Sequence, residues 1–271
     1  MMKLITNNLF QTFFVIIMAV LILITVFAPM IAPYDPTSVD ITASLQDSSN
    51  EHIFGTDKLG RDIFSRVIYG GRSSIVLAII ATMLSMLIGM TLGIIGGLNG
   101  GRIDLLITGI ANIFMGLPGV TFMIAIAALM GTGVNSLITA LVINSWAGVS
   151  RIIRSKVLVL KKENFIESAQ ALGASQGRII IKYFLPNLMA DTIVLFAGRI
   201  STAILSLASL SYLGLGIQPP TPDWGVMISE SRSFFRTVPL AIMGPGLCIV
   251  ILSFGTNSLG DLLRQYFESK Q

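Results

Sequence analysis

Arg151 to Asn187 reads RIIRSKVLVLKKENFIESAQALGASQGRIIIKYFLPN, the longest polar and basic segment in a chain otherwise made of apolar runs. Within it Asn164, followed three residues later by Glu167, has the form of a helix start. In that arrangement the Asn oxygen accepts from free backbone N–H groups and the Glu reaches back. Phe165, Ser168, Ala169 and Leu172 then share one helical face, and Gly173 can take the left-handed conformation that stops a helix. The spacing predicts a helix of about two turns. A second helical run is expected from Gln176, ending before Pro186 because the residue preceding a proline is pushed out of the α region. A helix this short does not hold itself together in water, so it must dock, either on the lipid interface or on another protein.

The surroundings of this segment are membranous. Of 271 residues, 53% are hydrophobic and only 12% charged, far from the composition of a soluble domain. Residues 4–34, 73–101, 105–150 and 237–260 contain no Asp, Glu, Lys or Arg, and a spanning helix needs about 20 residues. The third of these runs is long enough for two spans, divided at the small and polar stretch Gly131 to Ser136. A further apolar run between Asp191 and Asp223 is interrupted only by Arg199, which brings the expected architecture to an all-α membrane protein of six transmembrane helices. The first span, with an apolar stretch from about Phe13 to Ile31, exceeds the core of a cleavable signal peptide and is expected to stay attached.

Orientation follows from Lys and Arg in alternate loops. With the N terminus inside, that side holds Lys3, Arg102, the seven basic residues of 151–187, Arg264 and Lys270. The other side holds Lys58, Arg61, Arg66, Arg72, Arg232 and Arg236. Eleven against six places both termini and the Glu167 segment in the cytoplasm of a cell-membrane protein. The net charge of +4 carries no nucleic-acid signal, because it is dispersed among these loops.

Several residues stand out along the spans. Met83, Met86 and Met90 form a stripe in the second span, read as flexible apolar packing in preference to soft metal ligation. Gly89, Gly93, Gly96 and Gly97 allow close helix approach in lipid. Gly116-Leu117-Pro118-Gly119 lies within the third span, where Pro118 makes either a bend beside a pathway or a static kink. Arg199, the only charge well inside the membrane, would cost about 2.5 to 3.5 kcal/mol on insertion scales and should face a cavity or a partner. Asp191 is too distant along the helix to pair with it. Arg199, Met86 and Pro118 are the pathway candidates; for Arg199 a subunit contact and a snorkelling structural arginine stand as alternatives.

In the external loop, residues 55–66 read GTDKLGRDIFSR and lead into a stretch in which Ile63, Phe64, Val67 and Ile68 share a face, with Asp62 and Arg66 an i,i+4 pair. Taken alone this is an interfacial helix. After the fifth span, residues 210–225 read LSYLGLGIQPPTPDWG, an external loop or re-entrant segment.

These three strings carry a resemblance. Glu167-Ser168-Ala169, then Gly173, then Leu185-Pro186 resemble the EAA loop of ABC importer permeases, with Ser168 in place of Ala and Tyr183 where Ile is usual. The other two resemble the GTDxxGRDxxSR and LSFLGLGxxPPxPxWG sequences of the dipeptide, oligopeptide and nickel branch, with Tyr212 in place of Phe. The resemblance implies a type I ABC importer permease fold whose coupling helix inserts into a cytoplasmic ATPase. Phe165, Glu167, Ser168, Ala169, Leu172, Gly173, Leu185 and Pro186 would then be the ATPase-coupling residues. It also implies a second permease subunit, two cytoplasmic ATPases and an extracytoplasmic solute-binding protein. The chain divides on this reading into 1–72, a first helix plus external loop, and 73–271, a five-helix core with coupling loop 151–187. Peptide-type relatives often carry Glu where this chain has Leu207, which tilts the expected cargo from small peptides towards nickel or metal-chelate complexes.

The chain lacks any Gly-Lys dipeptide and so any P-loop, which assigns ATP and Mg to the partner ATPase and leaves this chain without catalytic residues or cofactor. His52 and Cys248 are its only histidine and cysteine, so no metal site is expected. A self-contained secondary transporter or channel is the rival reading; it predicts intramembrane acids or an inverted repeat, and neither is visible. A membrane-embedded hydrolase lacks an acid or His near a nucleophile.

Overall fold

A helix in lipid must satisfy every backbone group internally, so long apolar runs become long helices. The computed structural model describes residues 9–269. In chain order the helices are α1 (Leu9–Val26), the single turn α2 (Ala28–Ile31), α3 (Ile63–Asn99), α4 (Gly101–Gly116), α5 (Gly119–Met130) and α6 (Val134–Leu160). There follow α7 (Asn164–Ala171), α8 (Gln176–Ile179), a π-helical segment Ile180–Phe184, α9 (Leu185–Tyr212), α10 (Trp224–Ser231) and α11 (Leu240–Glu268). Among the described residues there is no strand, only an isolated bridge between Thr56 and Asp62. Lys3 and Lys270, counted above for orientation, lie outside the described residues.

The helices α1, α3, α6, the run Gln176–Tyr212 and α11 are each long and apolar enough to cross a membrane, and α4 with α5 makes a sixth candidate bent by 93°. The expected kink at Pro118 is therefore a full break. Leu117 and Pro118 are both extended, and α5 restarts at Gly119 behind the proline. The fourth span also runs past residue 150, where the charge-free run ends, to Leu160.

Helix α3 and helix α6 run parallel along a glycine seam. A methyl group added at Gly89 would lie 2.6 Å from Val149 Cβ, one at Gly93 2.6 Å from the Ser150 carbonyl oxygen, and one at Gly97 2.7 Å from Val157 Cγ1. Glycines at i, i+4 and i+8 therefore let the two backbones touch, the device expected where lipid supplies no hydrophobic drive. Arg154 of α6 pairs with Asp104 of α4, and Lys156 of α6 with Asp191 of α9 at 3.1 Å. Asn257 of α11 donates to the Ser201 hydroxyl of α9 at 3.0 Å, and Gly255 receives Met18 of α1.

Two further expectations change. The stretch 63–68 is the first turn of the 37-residue α3, which passes through residues 72 and 73 without a break. Ile63, Val67 and Ile68 are buried in protein, because the loop before α3 and helix α10 cover them, so the stretch is no interfacial helix. Asp62 does not pair with Arg66. It caps α3 by accepting from the Ser65 N–H at 2.7 Å, and its other oxygen meets His52 Nδ1 at 2.9 Å.

Candidate functional site

Helix α7 starts one residue earlier than its capping pattern suggests. Glu163 holds the extended N-cap conformation, Asn164 is the first helical residue, and no side chain caps the helix, so the expected Asn164–Glu167 box does not form. Glu167 instead lies in the first turn, where the helix dipole favours a carboxylate. Gly173 is left-handed as expected, at φ +77°. Its N–H donates to the Gln170 carbonyl and that of Ala174 to the Ala169 carbonyl, a Schellman closure.

The face read as one surface splits in two. Ile166 and Ala169 turn inward, Ile166 fully buried against Ile153, Val157, Ile179 and Phe184. Phe165 and Ser168 turn outward with Leu172, which is 87% exposed. At 100° per residue, Phe165 and Leu172 align seven apart while Ala169 swings towards Ile166. The helix is seated by one narrow ridge and presents the other.

Pro186 does not end the second run. The Leu185 N–H donates to the Ile180 carbonyl, a π-type bond, and the chain continues as helix from Gln176 to Tyr212. The wider turn shifts the register just before the proline, whose missing N–H then falls in the first turn of α9. Leu185 packs against the same cluster as Ile166, and Pro186 is exposed.

At membrane depth, Arg199 lies between two cavities. One, of about 70 Å³, is lined by Thr82, Ser85, Met86, Asn144, Ser145 and Ser206 together with Thr202 and Arg199. The other, of about 610 Å³, shares Arg199 and Thr202 and extends past Lys156 and Asp191 to Arg264 and Glu268, the end of the bundle that carries α7. Two pathway candidates, Arg199 and Met86, thus line one cavity. Pro118 itself is exposed and lines neither, but its neighbour Gly119 packs against Asn144, 3.2 Å from the amide oxygen to an added methyl position.

At the opposite end, the GTDxxGRDxxSR string meets the PPxPxWG string. Arg61 pairs with Asp57 at 2.6 Å and with Glu230 of α10 at 3.1 Å; Arg66 approaches the same two acids at 3.6 and 3.5 Å. Arg66 also donates to the carbonyls of Pro36 and Pro220. Asp223 caps α10 by accepting from the Val226 N–H at 3.1 Å, and Trp224, fully buried, donates to the Val67 carbonyl at 2.8 Å. Burial pushes the Asp223 carboxyl above the usual carboxylate range, against the Val226 and Ser74 hydrogen bonds that lower it.

Residues 89–271 match the family described as "Binding-protein-dependent transport system inner membrane component", and residues 3–49 match the N-terminal transmembrane domain of oligopeptide transport permease C. The chain belongs to this permease family. The permease is 39% identical over 255 residues to the dipeptide transport system permease protein DppC of Alkalihalophilus pseudofirmus, spanning 94% of this chain and 84% of that one. It is 40% identical over 251 residues to the glutathione transport system permease protein GsiD of Escherichia coli, spanning 92% and 83%. Its fold is similar to that of the MetNI methionine ABC transporter in an inward-facing conformation, at TM-score 0.64 and 15% identity, over 75% of this chain and 97% of that one. It is therefore an ABC importer permease of the inner membrane with the type I fold, a transport component that works with ATPase and solute-binding partners.

Sequence reasoning did not find Glu230 of the permease. Its partners lie 169 and 164 residues away, and nothing in its local spacing marks it. The one available signal was the crowding of Arg61 and Arg66 near a single nearby acid, Asp57, beyond Asp62's own capping duty.

Proposed function

We propose that this permease forms half of an ATP-driven import pathway for short peptides and couples it to a cytoplasmic ATPase through α7. The supporting observation is an eight-residue helix held by Ile166 and Ala169 that leaves Phe165 and Leu172 exposed beside Glu167. An exposed apolar pair on so short a helix calls for a receiving cleft. On this reading Phe165, Glu167, Ser168 and Leu172 contact the ATPase, while Ala169, Gly173, Leu185 and Pro186 hold the helix at its angle. The α7 end of the bundle and both termini face the cytoplasm, in line with the distribution of Lys and Arg. The Arg61–Glu230 cluster faces outward. A second permease subunit, two ATPases using ATP and Mg, and an external solute-binding protein complete the assembly.

Peptide cargo is supported by the relatives, named for dipeptide and glutathione transport. Leu207, which tilted the sequence reading towards metal chelates, is buried in the core and lines neither cavity, which weighs against its acting directly on cargo. The test is a pull-down of the tagged chain and its Glu167→Arg variant from detergent-solubilised membranes, with ATPase assay. Co-purification of an ATPase and a second permease with the wild type, lost or uncoupled in the variant, is expected. A wild-type chain that arrives alone and moves solute without ATP would overturn the proposal.

A further inference from the structure

A guanidinium at membrane depth needs a counter-charge, and the Arg199 guanidinium has none: among the described residues it makes no hydrogen bond or ion pair. No Asp or Glu lines the 70 Å³ cavity. Of the acids lining the larger cavity, Asp191 is held by Lys156 at 3.1 Å, and Glu268 sits in the last turn of α11, at the far end of that cavity. The guanidinium is nevertheless closely seated. A methyl group on Gly148 would stand 2.8 Å from its Nη2, so α6 gives way to it at a glycine.

The groups around it are those that complete an anion site. Thr82, Asn144, Ser145 and Ser206 offer hydroxyl and amide donors, while the Ser85 and Thr202 hydroxyls donate to the Ala81 and Gly198 carbonyls. The Thr82 hydroxyl is buried with no partner. About 70 Å³ holds a carboxylate group or a few waters, not a whole peptide. The adjoining 610 Å³ lies within the roughly 300 to 1,000 Å³ range of ligand clefts, room for the remainder of a small cargo molecule.

We propose that Arg199, with the hydroxyl and amide groups around it, is a carboxylate-binding station that takes the C-terminal carboxylate of the cargo as it crosses. This rests on the peptide-import reading above. The guanidinium fork matches a carboxylate in a bidentate, charge-assisted pair, which a fixed and unpaired arginine supplies without rearrangement. The station adjoins the larger cavity, since Arg199 and Thr202 line both. A carboxylate of the second permease subunit would satisfy the same chemistry, and the experiment separates the two sources.

The test uses the whole assembly in proteoliposomes, with binding protein and ATP, and compares uptake of radiolabelled alanyl-alanine with that of its C-terminal amide. The binding protein is common to all arms, so its own preference cancels between variant and wild type. Arg199→Gln is expected to lower the free-acid to amide ratio about tenfold or more, the scale of a hydrogen bond to a charged group. Gly148→Ala, which keeps the charge but displaces the guanidinium, should lower the ratio in the same direction and by less. Arg199→Lys should retain part of it. Equal loss of both substrates in Arg199→Gln would overturn the proposal. Loss of the second permease on purification of that variant would also overturn it, assigning the carboxylate to the partner. Absence of any ATP-dependent uptake by the wild type would instead overturn the import reading on which the proposal rests.

Discussion

Glu230→Gln removes one carboxylate from a cluster in which two acids balance two guanidinium groups. The Arg66 and Arg61 side chains are 1% and 4% exposed, and both reach the same Glu230 oxygen, at 3.5 and 3.1 Å. At an effective dielectric of about 20 each contact is worth roughly 5 kcal/mol of Coulomb attraction before desolvation. Breaking a fully buried pair costs about 3 to 5 kcal/mol, but the Glu230 side chain is 33% exposed, so water screens the loss to about 2 to 3 kcal/mol. At about 2 to 4 °C per kcal/mol for a chain of this size, the unfolding midpoint should fall by about 4 to 12 °C. Cys248 is the only cysteine and is buried in α11, so the temperature at which a thiol-reactive dye labels it in detergent reports unfolding directly. The double variant Glu230→Gln with Arg66→Met should recover part of the loss, since the orphaned charge leaves with its partner. A midpoint unchanged within about 1 °C, or strict additivity in the double variant, would refute the view that Glu230 neutralises this cluster.

Three more outcomes are expected. Gly93→Ala and Gly97→Ala should each destabilise by about 1 to 3 kcal/mol in the same dye assay, whereas Gly109→Ala, with nothing within 4 Å, should be neutral or slightly stabilising. Leu172→Ala should leave the chain's own stability unchanged and weaken ATPase co-purification by about 10- to 100-fold, the worth of one buried Leu, while Ile166→Ala should lower stability as well. For Asp223, whose folded carboxyl is raised by burial, the folded state holds its proton more tightly than the unfolded chain, so this group's contribution is greatest at low pH and is lost as pH rises through the folded value. Asp223→Asn keeps the cap without the buried charge and should match or exceed the wild type at pH 7, and Asp223→Ala should lose about 1 kcal/mol.

Much of the architecture was legible because lipid leaves the chain few choices. Charge-free runs longer than about 20 residues had to span, and Gly173 had to be a left-handed stop. Arg199 was legible as an anomaly of cost. What could not be read was tertiary. The amphipathic pattern of Ile63 to Ile68 is the same whether lipid or protein covers it, and only the loop before α3 and helix α10 decide. Pro186 reads as a stop, yet a single π-type turn absorbs it, and nothing in the local spacing announces that turn. Ala169 and Phe165 share a face on a helical wheel, but which edge of that face packs inward depends on Ile153 and Val157, a turn or more up the preceding helix.

The π-type turn has a mechanical consequence for the proposed coupling. Because the backbone stays helical from Gln176 through Pro186 to Tyr212, the segment beside α7 and the guanidinium of Arg199 belong to one rod, with about 35 Å between Gln176 and Arg199. A loop at this point would absorb a push on α7; a helix transmits it. The inner ridge of α7 is clamped onto that rod, since Ile166 packs with Ile179, Phe184 and Leu188 in one cluster. Under the proposed function, a displacement of α7 by the ATPase would therefore tilt the helix that carries Arg199, which lies between two cavities. The same rod meets α6 twice, through the half-exposed Lys156–Asp191 pair at the α7 end and through the close approach of the Arg199 guanidinium to Gly148 deeper in. The ion pair is too exposed to resist a push on α7, whereas the Gly148 contact leaves the guanidinium little slack, so a tilt of the rod under the proposed coupling would be expressed as a change in the shape of the cavities that Arg199 lines.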